Sequence, residues 1–232
     1  MNFNTLACAF TGIAASLLHN GQTIHSMFRI PIPTEHDSVS SLQPSDDRAT
    51  LLKYSKILIM DEASSTSKHV YSCVDKFLRD ARRRPNVPFG GMVVLLTGDF
   101  RQTLPIPDEL SQISSVDLCL KRSELWQHFT RFRLIQNLRA LPEEVIFKDW
   151  LMRIGDGIEP TINGKYLTRV PDNTLVEEGS NLITAVYGEP PLTREYLAHN
   201  NVAILCPTNK DSLEINDIIL STMEGNLNNI NL

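Results

Sequence analysis

A pair of acidic residues follows an apolar run in the first third of the chain. The run Ile57–Met60 has the composition of a buried strand, and Asp61 and Glu62 come directly after it. In phosphoryl transfer, an aspartate in this place helps to hold the Mg²⁺ ion that neutralises phosphate charge. A following glutamate can deprotonate the attacking water. The alternative is two solvated acids at the end of a strand, but the pattern favours a nucleotide-hydrolysing site.

A second polar segment follows another apolar run. Met92–Thr97 is typical of a buried strand, and Gly98–Pro105, with the sequence GDFRQTLP, comes after it. A glycine at that point permits a tight turn, and the amide of Gln102 can donate to a phosphate oxygen while it accepts from water. Arg139 follows a third apolar run, Phe132–Ile135, and could stabilise charge on a γ-phosphate. The simpler alternatives are a connecting loop for the first segment and a surface ion pair for Arg139.

Small hydroxyl residues, a histidine and an aromatic residue gather at positions 21–28, with the sequence GQTIHSMF. Hydroxyl groups bond phosphate oxygens, and the Phe28 ring could stack on a base. His25 taken by itself is more often a structural residue. A basic group is interpreted as the solvated end of a helix, where the helix dipole favours positive charge; it comprises Arg79, Arg82, Arg83 and Arg84.

Alternating strands and helices would position these residues. Leu6–Phe10 is typical of a short buried strand, a helix begins at Thr11, and the apolar spacing from Val70 to Ala81 predicts an amphipathic helix. A further helix is expected from Pro142 to about Ile154, and a strand at Val202–Cys206 with a helix after it. This alternation predicts an α/β fold with a parallel sheet and helices on both faces. Active residues of such sheets gather at the carboxyl ends of the strands.

Composition and charge exclude several classes of protein. The 232 residues are 42% apolar and 21% charged, with a net charge of −5, which is ordinary for a globular chain. The four cysteines lie far apart without a CxxC pair, so a metal site or disulfide framework is not expected and a reducing compartment fits better. No apolar run approaches the roughly 18 residues that a membrane span needs. Because the chain is not globally basic, any contact with nucleic acid must be local.

Taken together, these motifs resemble the Pif-type DNA helicases (named for petite integration frequency), a family that includes the helicase part of Helitron transposons. The matching segments occur in the family's order along nearly the whole chain: Thr11–Ala15, Gly21–Phe28, Ile59–Ala63, Pro88–Gly91, Gly98–Pro105, Asn137–Arg139, Trp150–Gly157 and Ile215–Asn216. The combination of Gly98–Pro105 with Thr23–Ser26 is the most specific part of the likeness.

The resemblance implies a RecA-like P-loop NTPase core that uses ATP and Mg²⁺ to move 5′ to 3′ on single-stranded DNA and to unwind duplex DNA. By this resemblance Asp61 works with Mg²⁺, Glu62 activates water, Gln102 senses the γ-phosphate and Arg139 is the arginine finger; Asp61, Gln102 and Arg139 contact the nucleotide. The DNA track would be lined by Thr11, Gly12, Thr23, His25, Ser26 and Phe28.

The resemblance also predicts a domain organisation. Residues 1–154 would be a RecA-like motor domain, 155–200 a connector or insertion, and 201–232 the start of a second RecA-like motor domain. The family places a Gly-rich lysine loop, the Walker A loop, before the Leu6–Phe10 strand and further motor motifs after the position of Leu232. We therefore expect a helicase fragment with an incomplete sheet, which is inactive as an ATPase by itself and marginally stable or prone to aggregate.

The family further implies roles in DNA repair, recombination and telomere maintenance, a location in the nucleus with the mitochondrion as an alternative, and no membrane partner. The oligomeric state is left open. The competing hypothesis is a catalytically inactive DNA-binding or interaction remnant of a helicase or transposon gene.

Overall fold

A computed structural model describes residues 5–107, 112–136, 138, 141, 143–162, 168–189, 192–199 and 202–223. The chain divides into two compact units, Met1–Ile158 and Glu159–Leu232. The main hydrophobic core lies wholly in the first unit. The assignment of 155–200 to a connector and of 201–232 to a second motor domain stays a prediction.

Four parallel strands form a sheet in the first unit, in the order β2–β1–β3–β4. The strands are β1 (Thr5–Ala9), β2 (Gln22–Thr23), β3 (Ile57–Asp61) and β4 (Val93–Leu96). β1 pairs with β3 along its whole length, from Thr5 opposite Ile57 to Ala9 opposite Asp61. Because all the strands run in the same direction, the segments that follow them emerge at one edge of the sheet. That edge carries most of the residues singled out in the sequence.

Helices connect the strands, and all but the first contribute to the core on one face of the sheet. They are α1 (Gly12–Leu17), α2 (Ile24–Phe28), α3 (Asp47–Tyr54) and α4 (Lys68–Ala81). α4 is the amphipathic helix that the apolar spacing predicts: Val70, Val74 and Leu78 recur every fourth residue and are fully buried or nearly so. They belong to the same buried cluster as Leu58 and Met60 of β3, and burying each such side chain stabilises the fold by about 1.5–3 kcal/mol.

The other face of the sheet is only partly covered. Side chains alternate along a strand, so Ile57, Ile59, Val93 and Leu95 share the face opposite Met60. Val93 and Leu95 on the edge strand β4 are 62% and 48% exposed. The connection through α1 runs along the sheet in the opposite direction to the later ones, and right-handed crossover places α1 on this face, over β1 and β2. In the described part of the chain, the expected cover by helices on both faces is therefore found only at that end.

The chain after β4 forms short helical pieces and one longer helix. These are α5 (Ser115–Leu118), 3-10 turns at Leu120–Arg122 and Glu124–His128, and α6 (Val145–Asp156). The strand predicted at Phe132–Ile135 is not formed, and the side chains of Phe132, Leu134 and Ile135 are almost fully exposed. An extended segment becomes a strand only when a neighbouring backbone pairs with it, and no described strand lies beside this one. That prediction was wrong.

The second unit is helical where the structure describes it. It contains α7 (Leu182–Tyr187), α8 (Arg194–His199) and α9 (Asn209–Thr222). α9 confirms the helix expected near the end of the chain, and it begins where the Thr208 hydroxyl accepts from the Asp211 N–H. The strand expected at Val202–Cys206 is not formed; as at Phe132–Ile135, no described strand is present in this unit to pair with it. None of the described helices combines the length and the apolar character needed to cross a membrane.

Candidate functional site

Asp61 lies at the carboxyl end of β3, beside the end of β4. Its Oδ1 accepts a hydrogen bond from the Thr97 hydroxyl at 2.5 Å and another from the Glu62 N–H at 2.9 Å. The Ala63 N–H donates to the Thr97 carbonyl at 2.9 Å, so Thr97 ties the two strand ends together. These bonds orient the Asp61 carboxylate through Oδ1, while Oδ2 has no hydrogen-bond donor among the described residues.

Glu62 adopts the left-handed backbone conformation, with φ at +56°. For a residue with a side chain this costs about 1–3 kcal/mol and persists only where surrounding contacts hold it. Here the Glu62 carbonyl accepts from the Ser65 N–H at 3.2 Å and from the hydroxyl of the fully buried Thr66 at 3.3 Å. Strain that is held in this way concentrates at functional sites, which fits a role for Glu62.

The segment after β4 packs closely against the segment after β3. A Cβ at Gly98 would lie 2.9 Å from the Ala63 backbone nitrogen, so any side chain at that position would push the two segments apart. The Ser65 hydroxyl donates to the Thr103 carbonyl at 2.8 Å. These two contacts bracket Gln102 and keep its loop beside the Asp61–Glu62 pair.

Aromatic packing anchors the Gln102 loop. The Phe100 ring meets the Trp126 ring edge to face, with 5.6 Å between centroids, and Lys121 Nζ lies 4.1 Å from the Phe100 centroid. The Gln102 N–H donates to the Asp99 carbonyl at 3.0 Å, and the Gln102 residue is exposed. The loop is thus fixed through its neighbours, and the Gln102 amide stays accessible to a ligand.

The ends of β1 and β2 carry two threonines that cap the following helices. The Thr11 hydroxyl accepts from the Ala14 N–H at 3.1 Å, and the Thr23 hydroxyl accepts from the Ser26 N–H at 3.2 Å. Such caps stabilise a helix by about 1 kcal/mol, so both hydroxyls have a structural role. Gly12 and Ser26 are exposed. These residues lie along the same edge of the sheet as the end of β3.

His25 is half-buried between two neighbours. Its Nε2 lies 3.3 Å from the Thr34 hydroxyl oxygen, and its ring centroid lies 6.1 Å from that of Phe10. Partial burial lowers the pKa of His25, because desolvation disfavours the charged imidazolium. At neutral pH the side chain therefore offers hydrogen bonds rather than a positive charge.

Phe28 does not belong with these exposed residues. It is fully buried and packs edge to face on Phe77, with 6.0 Å between ring centroids. A buried ring has no free face on which a base can stack, so we correct its assignment from the DNA track to the core. Arg139 lies outside the described residues. No group of three or more His, Cys, Asp or Glu side chains within the described ranges is arranged to hold a metal ion by itself.

Two residues that the sequence reasoning passed over have clear places in this site. Thr97 orients Asp61, and Thr66 holds Glu62, both through side-chain hydroxyls. The only signal for Thr97 is its position, as the last residue of the apolar run that forms β4 and therefore level with the end of β3. Thr66 gives no such signal, because its burial depends on how the loop after β3 folds back.

Comparison with known proteins identifies a family. A model of the "PIF1-like helicase" family matches residues 2–165, which is most of the chain. The ATP-dependent DNA helicase RRM3 of Saccharomyces cerevisiae is 32% identical over 121 residues, which cover 51% of this chain and 16% of that protein. The ATP-dependent DNA helicase PIF1 of Trypanosoma brucei brucei is 32% identical over 133 residues, covering 57% of this chain and 13% of that one. The match thus spans less than a fifth of the length of these relatives.

Solved structures agree in fold. A Pif1 helicase from Bacteroides, in complex with ADP-AlF3 and single-stranded DNA, aligns with a TM-score of 0.59 and 26% identity over 69% of this chain and 38% of that chain. A Bacteroides Pif1 with ADP-AlF4 aligns with a TM-score of 0.61 over 93% of this chain and 46% of that one, at 22% identity. The second likeness concerns the fold alone. Both agree with the parallel α/β sheet and confirm the RecA-like architecture expected from the sequence.

The family model, the relatives and the fold agree with the family that the sequence motifs indicate. GDFRQTLP and the acidic pair lie at neighbouring strand ends of a parallel sheet, the edge at which such sheets bind ligands. The chain belongs to the PIF1-like helicase family.

Proposed function

We propose that this chain carries the hydrolytic centre and part of the DNA track of an ATP-dependent DNA helicase that moves 5′ to 3′ on single-stranded DNA and unwinds duplex DNA. The observation that carries the proposal is the junction at the ends of β3 and β4. There Thr97 and Ser65 bind the Asp61–Glu62 turn to the Gln102 loop. Repair, recombination and telomere maintenance, and a nuclear or mitochondrial location, come with the family resemblance alone.

The donors around Asp61 fit Mg²⁺. The ion prefers hard oxygen ligands, and it is usually bound by one or two carboxylates together with waters and phosphate oxygens. Asp61 supplies one carboxylate whose Oδ1 is engaged by Thr97 and Glu62, so Oδ2 is the atom that would hold the ion. When bound, Mg²⁺ neutralises charge on the β- and γ-phosphates.

The chain's own residues divide the remaining work. Glu62 accepts a proton from the water that attacks the γ-phosphate. Hydrogen bonds to the Glu62 carbonyl fix the backbone from which its side chain extends. Gln102 contacts the γ-phosphate oxygens through its exposed amide. Arg139 supplies positive charge to the transition state as an arginine finger.

The DNA track in this proposal follows the ends of β1 and β2. Thr11, Gly12, Thr23, His25 and Ser26 present small groups and backbone N–H groups along an exposed edge, which suits contacts to phosphate and sugar rather than to base edges. His25 is neutral there at pH 7, because burial lowers its pKa. Binding should therefore tolerate many sequences and weaken as salt rises.

A charge change at Ser26 tests the track. Ser26 is exposed and its hydroxyl caps no helix, so Ser26→Asp adds negative charge without removing a known contact. We expect about fivefold to tenfold weaker binding of fluorescein-labelled oligothymidine in anisotropy titrations, since like charges about 4 Å apart repel by roughly 1 kcal/mol in water. The matched control is Ser180→Asp, the same change at an exposed position of the second unit. Equal affinities of both variants and the parent chain would refute the track.

The competing hypothesis, an inactive DNA-binding remnant, can be tested against the helicase. The 232 residues contain no Gly-x-x-x-x-Gly-Lys-Ser/Thr sequence, which is the loop that cradles phosphates in P-loop enzymes. Sequencing the transcript that encodes the chain separates the two functions. A phosphate loop in frame ahead of Met1 supports the helicase, whereas stop codons there support the remnant.

A further inference from the structure

The Gln102 loop makes an ionic contact with a distant part of the first unit. Arg101, the residue before Gln102, donates from Nε to Asp156 Oδ1 at 2.6 Å. The hydrogen bond that Arg101 donates to Asp156, together with the negative charge of Asp156, raises the pKa of Arg101. Asp156 is the last residue of α6. The contact therefore joins two segments that are 55 residues apart in the sequence.

A glycine in α6 makes room for this contact. A Cβ at Gly155 would lie 2.8 Å from Cδ and 3.1 Å from Cβ of Arg101. Glycine inside a helix costs roughly 0.5–1 kcal/mol relative to alanine, so the position is unfavourable for α6 considered alone. The close approach of the Arg101 side chain accounts for the glycine at position 155. This steric observation is independent of the ion pair between Arg101 and Asp156.

The contact lies close to the point at which the chain leaves the first unit. α6 ends at Asp156, and Gly157 follows in the left-handed conformation with φ at +69°. The first unit ends one residue later, at Ile158. Whatever holds the end of α6 also holds the point at which the chain leaves the first unit.

We propose that Arg101 is a positioning residue: by clasping Asp156 over Gly155 it fastens the Gln102 loop to the end of α6, so that the loop and the exit from the first unit move together. The clasp itself needs no ligand. Its use, to carry the state of the nucleotide at Gln102 towards the second unit, rests on the function proposed above. Coupling of this kind is reciprocal, so disturbing either end must be felt at the other.

Hydrogen–deuterium exchange on the full chain, without nucleotide or DNA, tests the clasp. Arg101→Met and Asp156→Asn should each speed exchange in both the loop 98–105 and the helix end 153–158. The expected factor is about twofold to fivefold, the range of a partly exposed ion pair. The double variant should exchange no faster than either single variant, because all three remove the same contact. Gly155→Ala should also speed exchange in the loop, although alanine favours the helix.

The control pair is Arg169 with Asp172, an ion pair at 3.0 Å in the second unit. Arg169→Met and Asp172→Asn should leave both segments unchanged. The clasp is refuted if Arg101→Met affects only its own loop, if the two single effects add in the double variant, or if Gly155→Ala leaves the loop as it was. None of these measurements involves a nucleotide. The clasp can therefore be confirmed even if the helicase proposal fails, and the helicase proposal can be confirmed even if the clasp is refuted.

Discussion

Replacing Arg82 with alanine is expected to lower the free energy of unfolding by about 3 kcal/mol, because charge-assisted hydrogen bonds to three backbone carbonyls are lost. Arg82 Nη1 donates to the carbonyls of Lys53 and Ser55 at 2.7 and 2.8 Å, and Nε donates to the Gly90 carbonyl at 2.9 Å. Lys53 lies in the last turn of α3, Ser55 precedes β3 and Gly90 precedes β4. One guanidinium at the end of α4 thus joins the entries of two strands.

Urea unfolding followed by circular dichroism at low protein concentration measures this effect. The matched control is Arg83→Ala, which removes the same side chain from the next, exposed position and should change stability by less than about 0.5 kcal/mol. Arg82→Lys should fall between the two, because an ammonium group keeps the charge but lacks the planar fork of donors. If Arg82→Ala and Arg83→Ala unfold at the same urea concentration, the bonds of Arg82 do not stabilise the sheet.

Arg82 also marks a limit of sequence reading. The run of arginines after α4 is typical of a solvated helix end, and Arg83 and Arg84 are indeed exposed. Arg82 and Arg79 differ from them only in the direction that their side chains take. Arg79 Nε lies 2.7 Å from Asp75 Oδ2, and the Phe89 N–H donates to Asp75 Oδ1 at 2.6 Å. The Arg79–Asp75 pair has the i, i+4 spacing of a helix, but no spacing rule identifies the bonds of Arg82, because its partners come from other segments.

The residues at the carboxyl edge of the sheet could be predicted because the pattern that indicates them lies within short segments of the sequence. An apolar run that ends in Asp61–Glu62, and another that ends in Gly98, are strands whose ends must meet if the sheet is parallel. The amphipathic period of α4 is equally local. Thr97, Thr66 and the clasp of Arg101 depend on contacts between segments, so they emerge only from the folded chain.

The two errors about strands share one cause, the absence of a pairing partner that the sequence does not specify. Phe132–Ile135 and Val202–Cys206 have the composition of strands, yet a strand is a paired object and neither has a neighbour among the described residues. The prediction for Phe28 was wrong for the opposite reason, because this residue has a packing partner that the sequence does not reveal. Its aromatic ring suggests base stacking, but the turn of α2 directs it to Phe77 in the core.

The uncovered face of the sheet leads to the second large effect, self-association of the chain. Within the part of the chain that the structure describes, β4 is an edge strand, and an exposed apolar edge is a template for pairing with another chain. Val93 and Leu95 expose their side chains beside Ile57 and Ile59 on this face. We expect the 232-residue chain to elute as large oligomers, and the double substitution Val93→Lys with Leu95→Lys to return most of it to a monomer, because lysine on an edge strand opposes pairing.

Size-exclusion chromatography with light scattering measures the change. The control is Val39→Lys with Ile106→Lys, which removes two exposed apolar side chains and adds the same charge, but in loops rather than on the sheet. If association were driven by charge or by apolar surface in general, the control would restore the monomer as well as the β4 variant does. If β4 is the template, only the β4 variant will restore the monomer. The N–H and C=O groups along the free side of this strand are aligned for pairing with another chain, whereas those of a loop are not. A parent chain that is already monomeric at high concentration would refute the argument.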